Sequence, residues 1–325
     1  MDKTGSNGEL DLSVLEVVEA MREGFRNYGT GGLVNIPSVV SSELVDGKKV
    51  ITIVTEAKDV VRKLVVKKTI VESWVDNKKS SRDTRVVLYD SSGRALLNYS
   101  GDWITNARTG AAAALSAYWL LPERISSLKV AIIGTGAVAS EVVKFVDYLL
   151  HPKKICFGSG SKDSVSRFSS FVSDVSSADV EGHVIYSNNS FSDGADALLR
   201  DASVLVVANK LDIPLPSHLV SLMRPHRHIA VLSGDKQQHN LEGSVLVDRS
   251  SWFVFDSQQR ARETSEVRHL DVAGYSMLNV IGTIGDVALG KGEPYRSVPT
   301  IYDSSGMGVS DLILASAVAK KRKCF

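Results

Sequence analysis

Cysteine is scarce in this sequence of 325 residues, which contains only Cys156 and Cys324. Because these two lie far apart, they exclude a disulfide framework and a metal site built from several thiolates. No apolar run approaches the roughly 18 residues that a membrane-spanning helix needs. The opening segment is polar and lacks the apolar stretch of a secretory signal. These absences favour an enzyme of the cytoplasm over a secreted or membrane protein.

The sequence also has almost no net charge, because its 38 Lys+Arg and 37 Asp+Glu residues give a formal charge of +1. Such a balance offers no general attraction for nucleic acid or for an acidic membrane surface. The basic run Lys320–Lys323 is short and is typical of a solvated helix end. Apolar residues make up 43% of the chain, which is enough for two domains. We therefore expect a small-molecule ligand, and no nucleic acid or membrane partner.

The first third of the chain has the patterns of a sheet with helices. Apolar residues at helical spacing predict a helix at Leu15–Phe25, and an Ala-rich stretch predicts another at Asn106–Leu121, before Pro122. The turn sequence Asp90–Gly93 predicts a hairpin. The predicted strands are Val50–Val54, Leu64–Val71, Arg85–Tyr89 and Ala95–Tyr99.

From Lys129 onward the pattern changes to short apolar runs without alternation, separated by helical stretches. Such runs are typical of strands that are buried on both faces of a parallel sheet, in βαβ units. This part of the chain is therefore predicted to be an α/β domain with a doubly wound sheet. The predicted strands are Lys129–Ile133, Lys154–Phe157, Val180–Tyr186, Val204–Ala208, His228–Leu232 and Trp252–Phe255, and the predicted helices are Ala139–Leu150 and Ser164–Val172.

A glycine-rich turn follows the first of these strands. Gly134-Thr135-Gly136-Ala137-Val138-Ala139 matches the dinucleotide-binding fingerprint, with Ala in the last position. The first glycine permits a tight turn, and the second lets the backbone approach a pyrophosphate at the helix N-terminus. The alternative is a plain structural turn. The βαβ context favours a nicotinamide dinucleotide.

The end of the second parallel strand distinguishes NAD from NADP. An acidic residue there would bind the ribose hydroxyls of NAD. This sequence has Ser159, Ser161 and Lys162 instead, and its first carboxylate is Asp163. These residues suit a 2′-phosphate better, which favours NADP over NAD. The alternative is that Lys162 is a solvated loop charge.

Two cationic positions lie outside the glycine loop. Arg108 stands at the start of an Ala-rich helix, where the dipole disfavours a cation unless an anion is bound nearby. A structural salt bridge is the alternative. Lys67-Lys68 lies inside an apolar strand, and alternation turns one of the two inward, where it needs an anion or a lowered pKa. Two solvated edge-strand lysines are the alternative.

Asp235 follows the predicted strand His228–Leu232. Ligands of doubly wound sheets bind at the carboxyl ends of strands, so its carboxylate is well placed for acid–base work, although a turn or cap aspartate is an equal alternative. His226 and His228 have no third ligand at a useful spacing. We therefore interpret them as loop histidines and predict no metal.

Taken together, these segments resemble the ornithine cyclodeaminase/μ-crystallin family over most of the chain. The glycine loop follows Gly101–Ala111, which resembles the family segment before the Rossmann domain. Ile301–Gly306 with Asp311 resembles the C-terminal signature. Lys68-Thr69-Ile70, followed by Asn77, resembles the substrate-lysine strand.

The resemblance implies a Rossmann doubly wound domain at 116–297 and a discontinuous α+β substrate-binding and dimerisation domain at 1–115, completed by 298–325. It implies a homodimer with the active site in the cleft. Arg108 would hold the substrate carboxylate, Lys68 would bind it or polarise the reacting centre, and Asp235 would handle a proton at nitrogen. The expected cofactor contacts are Thr109, Gly134, Thr135, Gly136, Ala137, Val138, Ser159, Ser161, Lys162, Ala208, Asn209 and Ser305.

Three departures from the family pattern decide the expected reaction. Asn35–Val40 lacks a second carboxylate-binding Arg that family members often carry. Lys67 stands where a small residue is common, which leaves Lys67 and Lys68 both open. Lys236–Leu241 does not fit the cyclodeaminase pattern and looks more like the opine-forming and imine-reducing branches.

We therefore expect an NAD(P)-dependent oxidoreductase acting on the C–N bond of an amino or imino acid, through imine or ketimine reduction, amino-acid dehydrogenation or opine-type chemistry. One alternative is an ornithine cyclodeaminase-type lyase that recycles its NAD internally. The other is a non-catalytic μ-crystallin-like binder of small ligands, which the missing Arg keeps open.

Overall fold

The computed structural model describes residues 12–76, 78–122, 125–187, 190–232, 239–264 and 266–324. The chain divides into two compact units. Unit 1 comprises Met1–Arg108 and Met307–Phe325, and unit 2 comprises Thr109–Gly306. Helix α2 crosses the first boundary, so that Arg108 and Thr109 are neighbours in one helix but belong to different units.

The secondary structure consists of helices and strands in the following order. The helices are α1 (Val14–Gly29), α2 (Trp103–Leu120), α3 (Ala137–Leu150), α4 (Lys162–Val175), α5 (Asp193–Leu199), α6 (Ser217–Val220), α7 (Gly243–Leu246), α8 (Gln258–Thr264), α9 (Val272–Ser276), α10 (Ile284–Asp286) and α11 (Gly308–Lys321). The strands are β1 (Leu33–Val45), β2 (Lys48–Asp59), β3 (Leu64–Val75), β4 (Lys78–Tyr89), β5 (Ala95–Ser100), β6 (Lys129–Ile133), β7 (Lys154–Ser159), β8 (Asp179–Val184), β9 (Tyr186–Ser187), β10 (Ser190–Phe191), β11 (Val204–Val207), β12 (His228–Val231), β13 (Trp252–Phe255), β14 (Asn279–Thr283) and β15 (Thr300–Asp303). Short 3₁₀ segments lie at Glu266–His269 and Glu293–Tyr295, and a π-helical turn at Val287–Lys291.

Unit 1 is built on a five-stranded antiparallel sheet in the order β1-β2-β3-β4-β5. Its first hairpin turns at Asp46 and Gly47, whose φ values of 48° and 75° suit the two-residue turn that matches strand twist. Helix α11 packs on the sheet closely enough that a Cβ on Gly308 would lie 2.6 Å from the carbonyl oxygen of Glu56. A side chain at Gly308 would therefore push α11 off the sheet.

Unit 2 is built on an eight-stranded sheet in the order β14-β13-β15-β12-β11-β6-β7-β8, and every neighbouring pair is parallel. The stretch β8-β7-β6-β11-β12 has the 3-2-1-4-5 order of a Rossmann fold. The strand order reverses between β6 and β11, because β7 and β8 extend the sheet on one side of β6 and β11 and β12 extend it on the other. The predicted fold class, a Rossmann domain with a separate smaller α+β domain, is confirmed.

Both boundaries differ from those that the resemblance implies, since the first unit ends at Arg108 and not at 115, and strand β15 explains why the second boundary lies later. The resemblance placed everything from residue 298 with the first domain. β15 instead lies between β12 and β13 in the parallel sheet, so unit 2 extends to Gly306. β1, β10, β14 and β15 were not predicted as strands. β1 was missed because most of its side chains are exposed and it shows no strict alternation. No helix within the described residues is long and apolar enough to cross a membrane.

Candidate active site

The glycine loop after β6 has the geometry that a pyrophosphate needs. Gly134 has a φ of +125°, which L side chains rarely adopt, and a Cβ there would lie 3.1 Å from the Ala208 carbonyl oxygen. A Cβ on Gly136 would meet nothing within 4 Å, so the backbone at the start of α3 is open to a ligand. The loop therefore fits a dinucleotide, with its phosphates at the N-terminus of α3.

The second wall of this cofactor site is the end of β11. The Ala208 amide donates to the Ile133 carbonyl at 2.8 Å, and the Asn209 Cβ is 3.2 Å from the position that a Gly134 Cβ would take. The structure thus brings Ala208 and Asn209, both predicted cofactor contacts, beside the glycine loop. This is the point where the strand order reverses, and dinucleotides bind there in doubly wound sheets.

The end of β7 carries hydroxyls and a cation rather than a carboxylate. Ser159 closes the strand, and Ser161 caps α4 by accepting a hydrogen bond from the Ser164 amide at 3.2 Å. Lys162 is the first residue of α4 and is exposed, and Asp163 follows it in the first turn. The first carboxylate therefore stands on the helix and not at the strand end.

A buried group of three charged side chains, which we call the charged cluster, lies in unit 1. It consists of Lys68 on β3, Arg108 on α2 and Asp311 on α11. The Lys68 Nζ is 2.6 Å from Asp311 Oδ2, and the Arg108 Nε is 3.3 Å from Asp311 Oδ1. The three side chains are 5%, 9% and 0% exposed. Two cations thus share one carboxylate, which leaves the cluster with a net positive charge.

Burial gives Lys68 an unusual titration. Desolvation lowers its pKa from 10.5 to about 8, while the carboxylate of Asp311 opposes the shift and the charges of Arg108 and Arg82 add to it. Lys67 is different, because its side chain is 47% exposed and its amine lies 3.8 Å from Glu56. Of the two lysines that the sequence left open, Lys68 is the one that faces inward.

The sequence as a whole matches one family model. The ornithine cyclodeaminase/mu-crystallin model covers residues 3–323. The chain belongs to this family. The resemblance seen in the sequence is therefore confirmed over nearly the entire length.

Relatives within the family include enzymes of imine chemistry. The chain is 26% identical to an iminosuccinate reductase from Paracoccus denitrificans over 260 residues, which is 77% of this chain and 75% of the relative. It is 23% identical to the ketimine reductase mu-crystallin of Rattus norvegicus over 251 residues, or 77% and 73% of the two chains. An archaeal alanine dehydrogenase dimer with bound NAD has the same fold, with a TM-score of 0.78 and 19% identity over 96% of this chain and 92% of the other.

The segment that lacks the frequent family Arg lies in β1. Here the Ser38 hydroxyl is 3.2 Å from that of Thr55 on β2, and Thr55 is paired in register with Lys68 on β3. Asn35 Oδ1 accepts a hydrogen bond from the Gly308 amide at the start of α11. The segment 35–40 thus contributes neutral side chains, which contact β2 and α11.

Ser305, a predicted cofactor contact, is buried and donates its hydroxyl to Asp256 Oδ1 at 2.8 Å. Asp256 also accepts a hydrogen bond from the Gly306 amide at 2.6 Å, so it fixes the turn after β15. Sequence reasoning missed Asp256 as well as the role of Asp311 in the cluster. Their signals were an acid directly after an apolar strand and an acid within an apolar helix.

Several predicted positions lie outside the described residues, namely Asp235, Asn77 and residues 236–238 of the segment that departs from the cyclodeaminase pattern. His228 is a core residue and not a loop residue as predicted, because it is fully buried on β12 and contacts Ser116 and Thr300.

Elsewhere in unit 2, ligand atoms of Cys156, Glu181 and His183 come within 4.8 Å of one another. Lys154 forms an ion pair with that glutamate.

Proposed function

We propose that this chain is an NAD(P)-dependent oxidoreductase that acts on the C–N bond of an amino or imino acid. The observation that carries the proposal is the charged cluster, in which the buried Lys68 and Arg108 both form ion pairs with Asp311. Its surplus positive charge favours a substrate carboxylate. The chain that holds this cluster also carries a glycine loop at Gly134 that fits a dinucleotide, and two of its relatives are an iminosuccinate reductase and a ketimine reductase.

The residues have distinct tasks in this proposal. Arg108 binds the substrate carboxylate, because a guanidinium fork matches its two oxygens. Lys68 binds the same carboxylate or polarises the reacting carbon–nitrogen centre. Asp235 supplies or removes the proton at nitrogen. The nicotinamide, when bound, accepts or gives a hydride at the α-carbon.

The cofactor contacts keep the assignment predicted from the sequence. Gly134, Thr135, Gly136, Ala137 and Val138 hold the pyrophosphate at the start of α3. The contacts from other segments are Thr109, Ser159, Ser161, Lys162, Ala208, Asn209 and Ser305.

NADP(H) is the preferred cofactor in this proposal. The support is the end of β7, where Ser159, Ser161 and the exposed Lys162 precede the first carboxylate. A 2′-phosphate would gain hydrogen bonds and a countercharge there. The archaeal alanine dehydrogenase of the same fold holds NAD, so this preference would separate the two proteins.

Non-catalytic binding of a small ligand is the second candidate. The observation that favours it is the neutral pair Ser38–Thr55 beside Lys68, where an additional cation would strengthen substrate capture. We also propose that the protein is a homodimer, for which the dimeric alanine dehydrogenase gives support. A cytoplasmic location stays a prediction from the sequence.

Oxidation of NADPH and NADH, followed by absorbance over a panel of imino acids and of keto acids with amines, tests the function. We expect substrate-dependent loss of the reduced cofactor, at lower concentrations of NADPH than of NADH. Arg108→Ala should raise KM for the substrate by about 100-fold, since a charge-assisted bidentate contact contributes about 3 kcal/mol. Its Kd for NADPH should stay within about 2-fold of the wild-type value.

Arg85→Ala is the matched control, because this exposed arginine on β4 is bonded to Asn98 and not to the cluster. It should leave KM unchanged. Deamination of ornithine without net cofactor turnover would instead identify a cyclodeaminase. Ligand binding without any turnover would identify a binding protein, and a clear preference for NADH would overturn the interpretation of Lys162.

A further inference from the structure

Asp311 pairs with both cations of the charged cluster, and the proposed function assigns it no role. It lies in the first turn of α11 and its side chain is completely buried. A buried carboxylate is costly unless opposite charges compensate it. Here both compensating charges come from residues of the proposed substrate site, one on β3 and one on α2.

The surroundings of Lys68 show why the carboxylate matters. Asp311 faces the ammonium from α11, and Arg108 and Arg82 act on it from α2 and β4. The neighbour in register on β2 is Thr55, which is neutral. Asp311 is thus the anion that opposes burial and two guanidinium charges, all of which favour loss of the Lys68 proton.

The same carboxylate orients Arg108. Its Oδ1 lies 3.3 Å from the Arg108 Nε, while Oδ2 is held by Lys68. This contact is an ion pair and not a hydrogen bond, since the Arg108 Nε and Asp311 Oδ1 atoms are buried without a hydrogen-bond partner among the described residues. The attraction between the two buried charges draws the Nε side of the guanidinium toward Asp311. Asp311 therefore acts on both substrate-binding cations from one position.

We propose that Asp311 is a positioning residue, which keeps Lys68 protonated and Arg108 oriented for the substrate carboxylate. This inference rests on the proposed function, because the substrate site is the one assigned there. Asp311 itself does not contact the substrate. Without it, Lys68 loses its proton at a lower pH and Arg108 loses its fixed direction.

Asp311→Asn tests the proposal, because the amide keeps the shape of the carboxylate and removes its charge. In wild type, kcat/KM should fall above pH about 8, where Lys68 deprotonates. In the variant this alkaline limb should move down by about one pH unit, and KM at pH 6.5 should rise by about 10-fold through Arg108. Lys68→Arg, with Asp311 intact, should lose the alkaline limb because arginine stays charged.

Glu56→Gln is the matched control, since it removes the half-buried carboxylate that pairs with Lys67 and should move neither quantity. An unchanged pH profile and KM in a folded Asp311→Asn protein would show that Asp311 is only structural. If this variant does not fold, Asp311→Glu, which keeps the negative charge, replaces it. An alkaline limb at the wild-type pH together with a wild-type KM would support the requirement for a negative charge at position 311. A displaced limb in Asp311→Glu would contradict it.

Denaturation with urea separates this inference from the proposed function, because it needs no substrate. The folded-state pKa of Lys68 lies below its ordinary value of 10.5, so unfolded chains bind more protons between pH about 8 and 10.5, and stability rises with pH in that window. In Asp311→Asn this rise should begin at a lower pH than in wild type. If the wild type turns over no imine but the rise in stability begins at a lower pH in Asp311→Asn, the proposed reaction fails while the effect of Asp311 on Lys68 stands. If the wild type turns over an imine but the rise begins at the same pH in both proteins, the inference on Asp311 fails.

Discussion

Burial determines the protonation state of His228. Its ring lies on β12 without exposure, with Nε2 3.0 Å from the Ser116 hydroxyl and Nδ1 2.9 Å from that of Thr300. Ser116 already donates to the Ala113 carbonyl, so its oxygen accepts from Nε2–H and Nδ1 accepts from Thr300. Both ring nitrogens are therefore satisfied in the neutral form, and burial lowers the pKa of His228 to about 3.

This pKa predicts an acid-labile core. The folded value lies below the ordinary 6.5, so the unfolded chain binds one more proton between pH 6.5 and about 3. Stability from the neutral ring is complete above pH 6.5 and is lost as the pH falls, by at most about 1.4 kcal/mol per pH unit. His228→Gln, which cannot take up this proton, should lose less stability than wild type between pH 7 and 5 in urea denaturation.

The exposed His218 supplies the control, and His218→Gln should follow the wild-type curve. Should His228→Gln be too unstable to measure, His228→Met removes the same proton and should show the same weakened pH dependence. Identical acid slopes for the wild type and a folded His228 variant would contradict the prediction.

Among the elements, α2 depends on a close approach to α3. A Cβ on Gly110 would lie 2.8 Å from the Val142 amide nitrogen, which is backbone and cannot rotate away. The residues that follow, Ala111–Ala114, are almost completely buried, so this helix is covered around its circumference. Small residues in α2 are therefore a requirement of packing, as well as a consequence of helix propensity.

Gly110→Ala should destabilise the protein by about 1–3 kcal/mol, because the added methyl group forces α2 and α3 apart. Thermal or urea denaturation measures the loss. Gly243→Ala is the matched control, since a Cβ at this first residue of α7 meets nothing within 4 Å. A folded Gly110→Ala protein as stable as wild type would show that α2 shifts without cost.

For the whole molecule, the outer strand of the unit 1 sheet carries an unusual number of exposed apolar side chains. On β1, Val39, Val40 and Leu44 are 66%, 47% and 79% exposed. Edge strands with such side chains are prone to pair with another chain. This surface is consistent with the homodimer that we propose and with the dimeric state of the archaeal alanine dehydrogenase.

We therefore expect light scattering to give twice the mass of one chain. Leu44→Lys combined with Val39→Lys should reduce the mass toward that of a monomer, because buried lysines would oppose association. Val61→Lys is the control, since Val61 is 80% exposed but lies in the turn between β2 and β3. A monomeric wild type, or a double variant that remains fully dimeric, would overturn this assignment of the interface.

The strand, turn and helix of the glycine loop could be predicted because their signals are local. The strand β6, the turn at Gly134 and the start of α3 are consecutive in the chain, and each has its own sequence signature. β13 was predicted with the bounds that the structure has. The sequence shows β15 only as part of the signature Ile301–Gly306, and its place in the middle of the parallel sheet follows from its pairing with β12 and β13.

Less of the charged cluster than of the glycine loop could be predicted from the sequence. The sequence by itself determined the dinucleotide loop, the family and the inward direction of one lysine of the pair at 67 and 68, since these follow from short-range patterns. Only the tertiary structure decided that Lys68 is the buried one and that Arg108 and Lys68 share Asp311. The reason is physical: the three residues lie far apart in the chain, and a buried charge finds its partner through packing, which no local pattern records.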